Sequence, residues 1–248
     1  MIVVENVIYN GTPISFVAEG VGIHGLLFEK EEGKRVWMAL LSGQDEPESG
    51  EVLLRRKDTV ASVISQKRYI GYVPSRLTLY EDMTVQELLD FIGEAKGITP
   101  DKRIRQIKEA MDLTGIADVA NRLIGSLSAP KCRRVAFAQA LLGNPSVILY
   151  DEPFADADRE QKRALGELLR LLGRHKPIVI GSLDTEILSL CTDATVILED
   201  GIRFSGDAAE LLSALTAKKA ADSVEPLVKP ATLSEYFGLV KTDEEGIV

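Results

Sequence analysis

Cysteine is scarce in this chain: Cys132 and Cys191 are the only two. That is too few for a disulfide framework and points to a reducing, cytoplasmic compartment. No run of roughly 18 apolar residues occurs, so no segment reads as a membrane-spanning helix. The opening residues MIVVENVIYN lack both a basic stretch and a long apolar run, which argues against a signal peptide. Positive charge is also in short supply. Lys and Arg number 29 against 38 Asp and Glu, a net charge of −9, whereas a general nucleic-acid binder needs a basic footprint. No internal repeat or low-complexity tract interrupts the chain. What remains is ordinary globular composition, with 45% hydrophobic and 27% charged residues over 248 positions. This is enough for one large or two small domains with a real core.

Short apolar runs alternate with helical patterns, which predicts an α/β architecture. Strands are expected over 1–9, 14–18 and 23–28, with a turn at Gly11, Thr12 and Pro13. A helix over 34–42 should stop at Gly43, and a β-rich stretch should cover 51–73. Residues 75–126 read instead as helices. Thr84 with Glu87 forms a capping box, and Thr99 with Pro100 starts a second helix that ends near Gly115. Ile104, Ile107 and Met111 recur at helical spacing and predict one buried stripe. Lys102, Arg103, Arg105 and Lys108 on the same helix read as a solvated basic face. Further on, 130–142 and 158–173 read as helices and 178–182 and 194–199 as strands. SVILYDEP reads as a strand ending in two acids, and Asp207 as the cap of a last helix. From Asp222 onward six acids and two lysines give a loosely held tail a net −4.

A strand, GLLF, followed by EKEEGKR and a helix, with VILYDEP about 120 residues later, is the layout of a P-loop nucleotide-binding protein. The chain resembles the ATP-binding subunits of ABC transporters over residues 2–215. The resemblance is carried by SFVAEGVGIHGLL, YIGYVPSRLTLYEDMTVQELLDF, LSAPKCRRVAFAQALLGNPSVILYDEP and ILEDGIRFSGD, in that order. It implies an ABC ATPase fold of the P-loop NTPase type, with an N-terminal antiparallel β-subdomain and an inserted helical subdomain. Residues 1–74 would form the β-rich part of the core with the phosphate loop, 75–128 the helical subdomain, 129–220 the resumed core and 221–248 the acidic tail.

The resemblance also assigns roles. A working phosphate loop reads GxxxxGK and then Ser or Thr; here Phe28, Glu29, Lys30, Glu31, Glu32, Gly33, Lys34 and Arg35 occupy it. Phe28 resists the left-handed backbone that glycine allows. A carboxylate about 4 Å from a phosphate oxygen costs roughly 4 kcal/mol at an effective dielectric of about 20. Three glutamates therefore make the loop a poor anion host, although acids at a helix start also stabilise the helix by its dipole. Gly33 and Lys34 keep the family's identity, while Arg35 removes the magnesium-binding hydroxyl. Asp151 matches the magnesium-supporting acid, Glu152 the general base and Asp158 the aspartate of the following loop. With Arg35 in place, an Arg35–Asp151 ion pair is expected to replace the metal.

LSGGQ, which in the family reaches the partner's nucleotide, becomes Leu127, Ser128, Ala129, Pro130 and Lys131. Pro130 has no N–H to donate, and Ser128 reads either as the retained contact or as a plain helix cap. The family's glutamine and histidine are Ser75 and Leu183, while His24 and His175 lie elsewhere. Tyr9 matches the adenine-stacking aromatic or is simply a strand-end tyrosine. Arg133 and Arg134 beside Cys132 could lower its thiol pKa.

Joint loss of these groups predicts a pseudo-ATPase that docks on a membrane or ATPase partner, with no cofactor and no bound metal. The alternative is a weakly nucleotide-binding, asymmetric subunit that uses ATP and Mg²⁺ beside a competent partner. Either would form a homo- or heterodimer with an ABC-type ATPase subunit. Either could also sit peripherally at the inner face of the membrane on a membrane-spanning subunit, through the helical subdomain and the segment after YVP.

Overall fold

The computed structural model describes residues 1–56, 59–155, 157–222 and Leu233. Alternating burial builds the first sheet, because a strand sends successive side chains to opposite faces. β1 (Ile2–Tyr9) and β2 (Thr12–Ala18) pair antiparallel. Their turn lies at Asn10 and Gly11, with φ of +48° and +80°, and not at residues 11–13. A two-residue hairpin loop needs positive φ at both positions, which Asn-Gly supplies, so Thr12 and Pro13 already belong to β2. β4 (Glu51–Arg56) and β5 (Thr59–Ser62) complete the sheet in the order β2-β1-β4-β5. The expected β-rich stretch is interrupted by a 3₁₀ segment over Ile64–Tyr69.

The second sheet reads as continuous apolar runs, as strands covered on both faces do. β3 (Gly22–Phe28), β6 (Ile70–Val73), β7 (Val147–Asp151), β8 (Pro177–Ser182) and β9 (Asp193–Leu198) run parallel. β10 (Gly201–Asp207) adds antiparallel at the β9 edge, giving the order β10-β9-β3-β8-β7-β6. Against one face, α1 (Glu31–Ser42) inserts Trp37, Met38 and Leu41 between this sheet and the first. Against the other lie α4 (Ala129–Leu141), α5 (Arg159–Gly173) and α6 (Ala208–Asp222), around Phe137, Leu169 and Leu211. α1 starts three residues before the expected position, because Glu31 and Glu32 in its first turn favour the positive end of the helix dipole. It ends as expected at Gly43, φ +71°. Asp207 Oδ1 accepts from the main-chain N–H groups of Ala209 and Glu210 at the start of α6.

Between β6 and β7 in sequence come α2 (Val85–Ala95) and α3 (Pro100–Thr114), which pack on each other and on α4. The Thr84–Glu87 capping box is formed, and Thr84 hydrogen bonds hold the Glu87 carboxyl below its usual pKa. On α3 the buried face is Ile107, Ala110, Met111 and Thr114, whereas Ile104 is 67% exposed. Arg103 takes the inward place instead. Its stem lies against Gly93, where a Cβ would come 2.7 Å from Arg103 Cδ, and its guanidinium meets Asp90 at 2.6 Å. Arg103 therefore leaves the solvated basic face, while Lys102, Arg105 and Lys108 remain exposed. The tail expected from residue 221 lies, past 222 and apart from buried Leu233, outside the described residues. Among the described residues no helix is long and apolar enough to cross a membrane.

α4 presses backbone to backbone on β6: a Cβ on Gly71 would sit 2.3 Å from the Ala140 carbonyl oxygen. Gly71→Ala should therefore displace α4 and destabilise the fold by about 1–3 kcal/mol. The measurement is a urea unfolding midpoint, and an unchanged midpoint would refute so close an approach.

Candidate functional site

In a parallel sheet the carboxyl ends of neighbouring strands open onto a common crevice. Adjacent β3, β8 and β7 bring α1, Ser182, Asp151 and Glu152 there. Lys34, in the first turns of α1, is 1% exposed, and its ammonium meets three carboxylates. It donates a hydrogen bond to Glu152 Oε1 at 3.0 Å. Asp151 Oδ1, also at 3.0 Å, is held as an ion pair without hydrogen-bond alignment. Glu31 Oε2, one helical turn back, lies at 2.9 Å. Burial works against the charged lysine, but the three carboxylates outweigh it and its pKa is raised.

Glu152 is held tightly. Its φ is +49°, a left-handed value rarely taken by a residue with a side chain. Its N–H donates to the Gly181 carbonyl at 2.9 Å. Its Oε2 accepts from Ser182 Oγ at 2.7 Å, and its Oε1 accepts from the Leu183 N–H at 2.8 Å as well as from Lys34. Asp151 Oδ2 accepts from the Ser75 N–H at 3.4 Å.

The loop ahead of Lys34 is short and helical. Phe28 closes β3 with 2% exposure, and none of residues 28–35 has positive φ. The Lys34 N–H already donates to the Lys30 carbonyl at 3.2 Å, and Lys30 Nζ reaches Glu199 at 2.6 Å. A Cβ on Gly33 would stand 2.7 Å from the Tyr9 hydroxyl oxygen, so Gly33 is where the tyrosine lies down on the helix. The Tyr9 ring tilts against Trp37 at 5.8 Å between centroids, and burial followed by Glu199 pushes its phenol pKa up. A cleft of about 220 Å³ remains between Tyr9, the loop and Glu199.

The expected Arg35–Asp151 pair does not form: Arg35 is exposed, and Lys34 holds Asp151 instead. Successive helical residues are about 100° apart around the axis, so a Lys34 aimed at the sheet turns Arg35 outward. Ser128 stands at the N-cap of α4 by backbone geometry, yet its side chain makes no capping bond and is exposed. No hydrogen bond or ion pair joins it to Lys34, Asp151 or Glu152. Pro130 lies in the first turn of α4, and Lys131 turns away to Asp118 at 2.8 Å. Asp158 serves as the cap of α5, accepting from the Gln161 N–H. His24 is buried against Asp193 at 2.8 Å, and His175 is exposed. The Cys132 thiol pKa is raised, chiefly by burial, and not lowered by the neighbouring arginines. The sequence reading missed Glu31 as a direct partner of Lys34, although an i,i+3 acid and base on one helix is a recognisable signal. Ser182 carried no such signal.

The fold and this crevice together define an ATP-binding-cassette protein. Residues 15–155, more than half of the chain, match the sequence model of the ABC transporter family. The chain belongs to that family. It is similar to ABC transporter A family member 1 of Dictyostelium discoideum, 28% identical over 89% of this chain and 26% of that protein. It is also similar to the probable multidrug ABC transporter ATP-binding protein YbhF of Escherichia coli, 25% identical over 79% of this chain and 34% of that protein. The chain thus spans about a quarter to a third of the length of these curated relatives. Among solved structures, the dimeric bacterial cassette MJ0796 superposes with a TM-score of 0.72 at 20% identity, over 84% of this chain and 99% of that one. The cbiO1 subunit of the Clostridium perfringens cbiONQ complex gives 0.74 at 21% identity, over 89% and 94%. The fold is that of an ABC ATPase cassette.

Removing the ammonium leaves buried carboxylates uncompensated. Lys34→Met should cost about 3–5 kcal/mol, whereas Glu31→Gln, at a 54% exposed side chain, should cost about 1 kcal/mol or less. The pKa of Lys34 is raised above its unfolded value, so its contribution is complete below about pH 10.4 and fades as pH rises through the folded value. Urea melts should therefore show the wild-type advantage over Lys34→Met constant from pH 8 to about pH 10 and narrowing only above that. Equal stability of the two proteins at pH 8 would refute the ion-pair cluster.

Proposed function

We propose that this chain is a degenerate ABC-type ATP-binding subunit, a pseudo-ATPase that docks on a membrane or ATPase partner and does not hydrolyse ATP. The observation that carries this reading is Glu31 on the Lys34 ammonium. In the family's pattern the lysine greets a phosphate; here a carboxylate of the loop itself already occupies it, with Asp151 and Glu152 as the other two. An arriving phosphate would meet two negative charges in excess, each costing on the order of 4 kcal/mol at about 4 Å. The backbone supports the same reading. Phosphate cradles are built from converging N–H groups of a loop with left-handed residues, and residues 28–35 contain none. Both oxygens of Glu152 are engaged by Ser182, Leu183 and Lys34. Arg35, Ser75, Leu183 and Pro130 remove the hydroxyl, amide, imidazole and N–H that the family uses. These residues do not fit Mg²⁺ and ATP.

For docking, a cavity of about 610 Å³ opens between the helical segment, α4 and α5, with a lining that includes Leu77, Leu79, Leu113, Pro130 and Leu168. Close to it in sequence is an exposed edge-to-face pair, Tyr80 and Phe91, with centroids 5.9 Å apart. A partner seated there would hold the chain peripherally at the cytoplasmic face of the membrane. The alternative, an asymmetric subunit beside a competent ATPase, is favoured by the uncommitted hydroxyl of Ser128 at the start of α4.

Titration of the purified protein with Mg-ATP separates these readings. The expected result for the isolated chain is no binding tighter than about 100 µM, that is, no more favourable than about −5.5 kcal/mol. In a co-purified complex, tight binding that Ser128→Ala in this chain weakens would favour the asymmetric subunit. Tighter binding or turnover by the isolated chain would overturn the pseudo-ATPase reading.

A further inference from the structure

The outer face of α5 forms a second, cationic cleft, unconnected with the Lys34 crevice. Its volume is about 360 Å³, and it lies between α5 and the 3₁₀ segment Thr185–Ser189. Arg159, Arg163 and Arg170 follow one another on one side of the helix at i, i+4 and i+11, with Gly166 at i+7. Gly166 leaves room for the floor: a Cβ there would touch Leu190 Cδ2 at 3.0 Å, and Arg170 Nη1 passes at 3.9 Å. Arg170 is pinned in this posture by one hydrogen bond, from Nη2 to the Ser189 carbonyl at 3.0 Å, which leaves its other donors free for the cleft. At the opposite end Lys162 sits 5.5 Å above the Phe154 ring and neutralises Glu186, the one carboxylate among the described lining residues.

The charge of this wall is unusual for the chain. The described lining residues include four cations and one carboxylate, in a protein of net charge −9. Arg159 has no ion-pair partner among the described residues, and Arg163 meets only the exposed Glu167 at 3.7 Å, an arrangement of little energetic weight. Three guanidinium forks along one wall, each with donors that no described ion pair or hydrogen bond engages, are suited to bidentate oxyanion recognition. Eleven residues of helix separate the outermost arginines by about 16 Å between their backbones. That is more than one phosphate group bridges, while the chain's net charge of −9 argues against a nucleic-acid strand.

We propose that this cleft binds a small polyanion carrying two or more linked phosphate groups, a condensed phosphate or a phosphate ester. Arg170 is the preset anchor, and Arg159 and Arg163 close on the second group. Calorimetric titration of the full chain at low salt with inorganic tripolyphosphate tests it. Saturable one-site binding is expected. Arg170→Ala, and the Arg159→Ala/Arg163→Ala pair, should each weaken it by about tenfold or more without moving the thermal midpoint of the unliganded protein. Lys34→Ala should leave the affinity unchanged; should that protein fail to fold, Glu31→Gln is the control, since it unblocks the ammonium and tightens binding only if the phosphate sits in the loop.

Equal affinity for sulfate at matched ionic strength, or for a penta-glutamate peptide, would overturn the phosphate assignment. Loss of binding on altering Lys34 but not the arginines would place the phosphate in the loop, overturning this proposal and the closed-loop reading together. Absence of tripolyphosphate binding overturns this proposal alone and leaves the Mg-ATP reading standing.

Discussion

One buried ammonium holds the central crevice together. Lys34 lies where α1 leaves β3, and Asp151 and Glu152 lie at the end of β7, so their contact ties the first third of the chain to the middle of the sheet. A charge that is 1% exposed is tolerable only if its partners stay in place. The surroundings enforce that placement. The left-handed backbone of Glu152 is locked by the Gly181 carbonyl, and its carboxylate by Ser182 and Leu183 of β8 and the residue after it. Three adjacent strands therefore converge on one nitrogen. The lysine that a nucleotide-binding cassette uses for phosphate serves here as the electrostatic hub of the fold.

On the proposed reading, that arrangement explains why Lys34, Asp151 and Glu152 match the family's motifs while Arg35, Ser75 and Leu183 depart from them. Lys34, Asp151 and Glu152 stabilise each other whether or not a nucleotide arrives, so losing any one is costly to the folded chain. Gly33 persists for a second local reason, the Tyr9 hydroxyl that occupies the space of its absent Cβ. Groups that only touch a nucleotide have no such duty. Arg35 points to solvent, Leu183 contributes only its main-chain N–H near the crevice, and Pro130 suits a helix first turn. Retained motif residues are therefore weak testimony for activity when each has a structural partner in view.

The same distinction separates what was legible in the sequence from what was not. Apolar runs and caps marked β7, β8, α2 and α5 because burial and capping leave local signatures, and the order of motifs identified the family. Errors arose where a tertiary contact reassigned a residue. Arg103 displaced Ile104 from the buried side of α3 because Gly93 and Asp90 received it. The sequence pairs Arg35 with Asp151 in place of its neighbour Lys34, because helix phase at the start of α1 is not visible without the helix start. That start lay three residues early, at Glu31. Correcting the start turns Lys34 inward, brings Glu31 one turn beneath it, and exposes Arg35, so a single boundary accounts for most of the misreading of the site.

Charge, finally, acts here by position and not by sum. The net −9 excludes a broad nucleic-acid surface, but it does not describe either crevice. At the carboxyl end of the sheet, three carboxylates around one lysine make a place that disfavours anions. On the outer face of α5, arginines at helical spacing make a place that attracts them. A charge within about 4 Å matters several-fold more than one a Debye length away, about 8 Å at physiological salt, because the near pair is less screened by ions. As proposed, the two sites would sort anions in opposite senses. If both proposals hold, a phosphate-bearing ligand is steered to α5 and away from the loop ahead of Lys34.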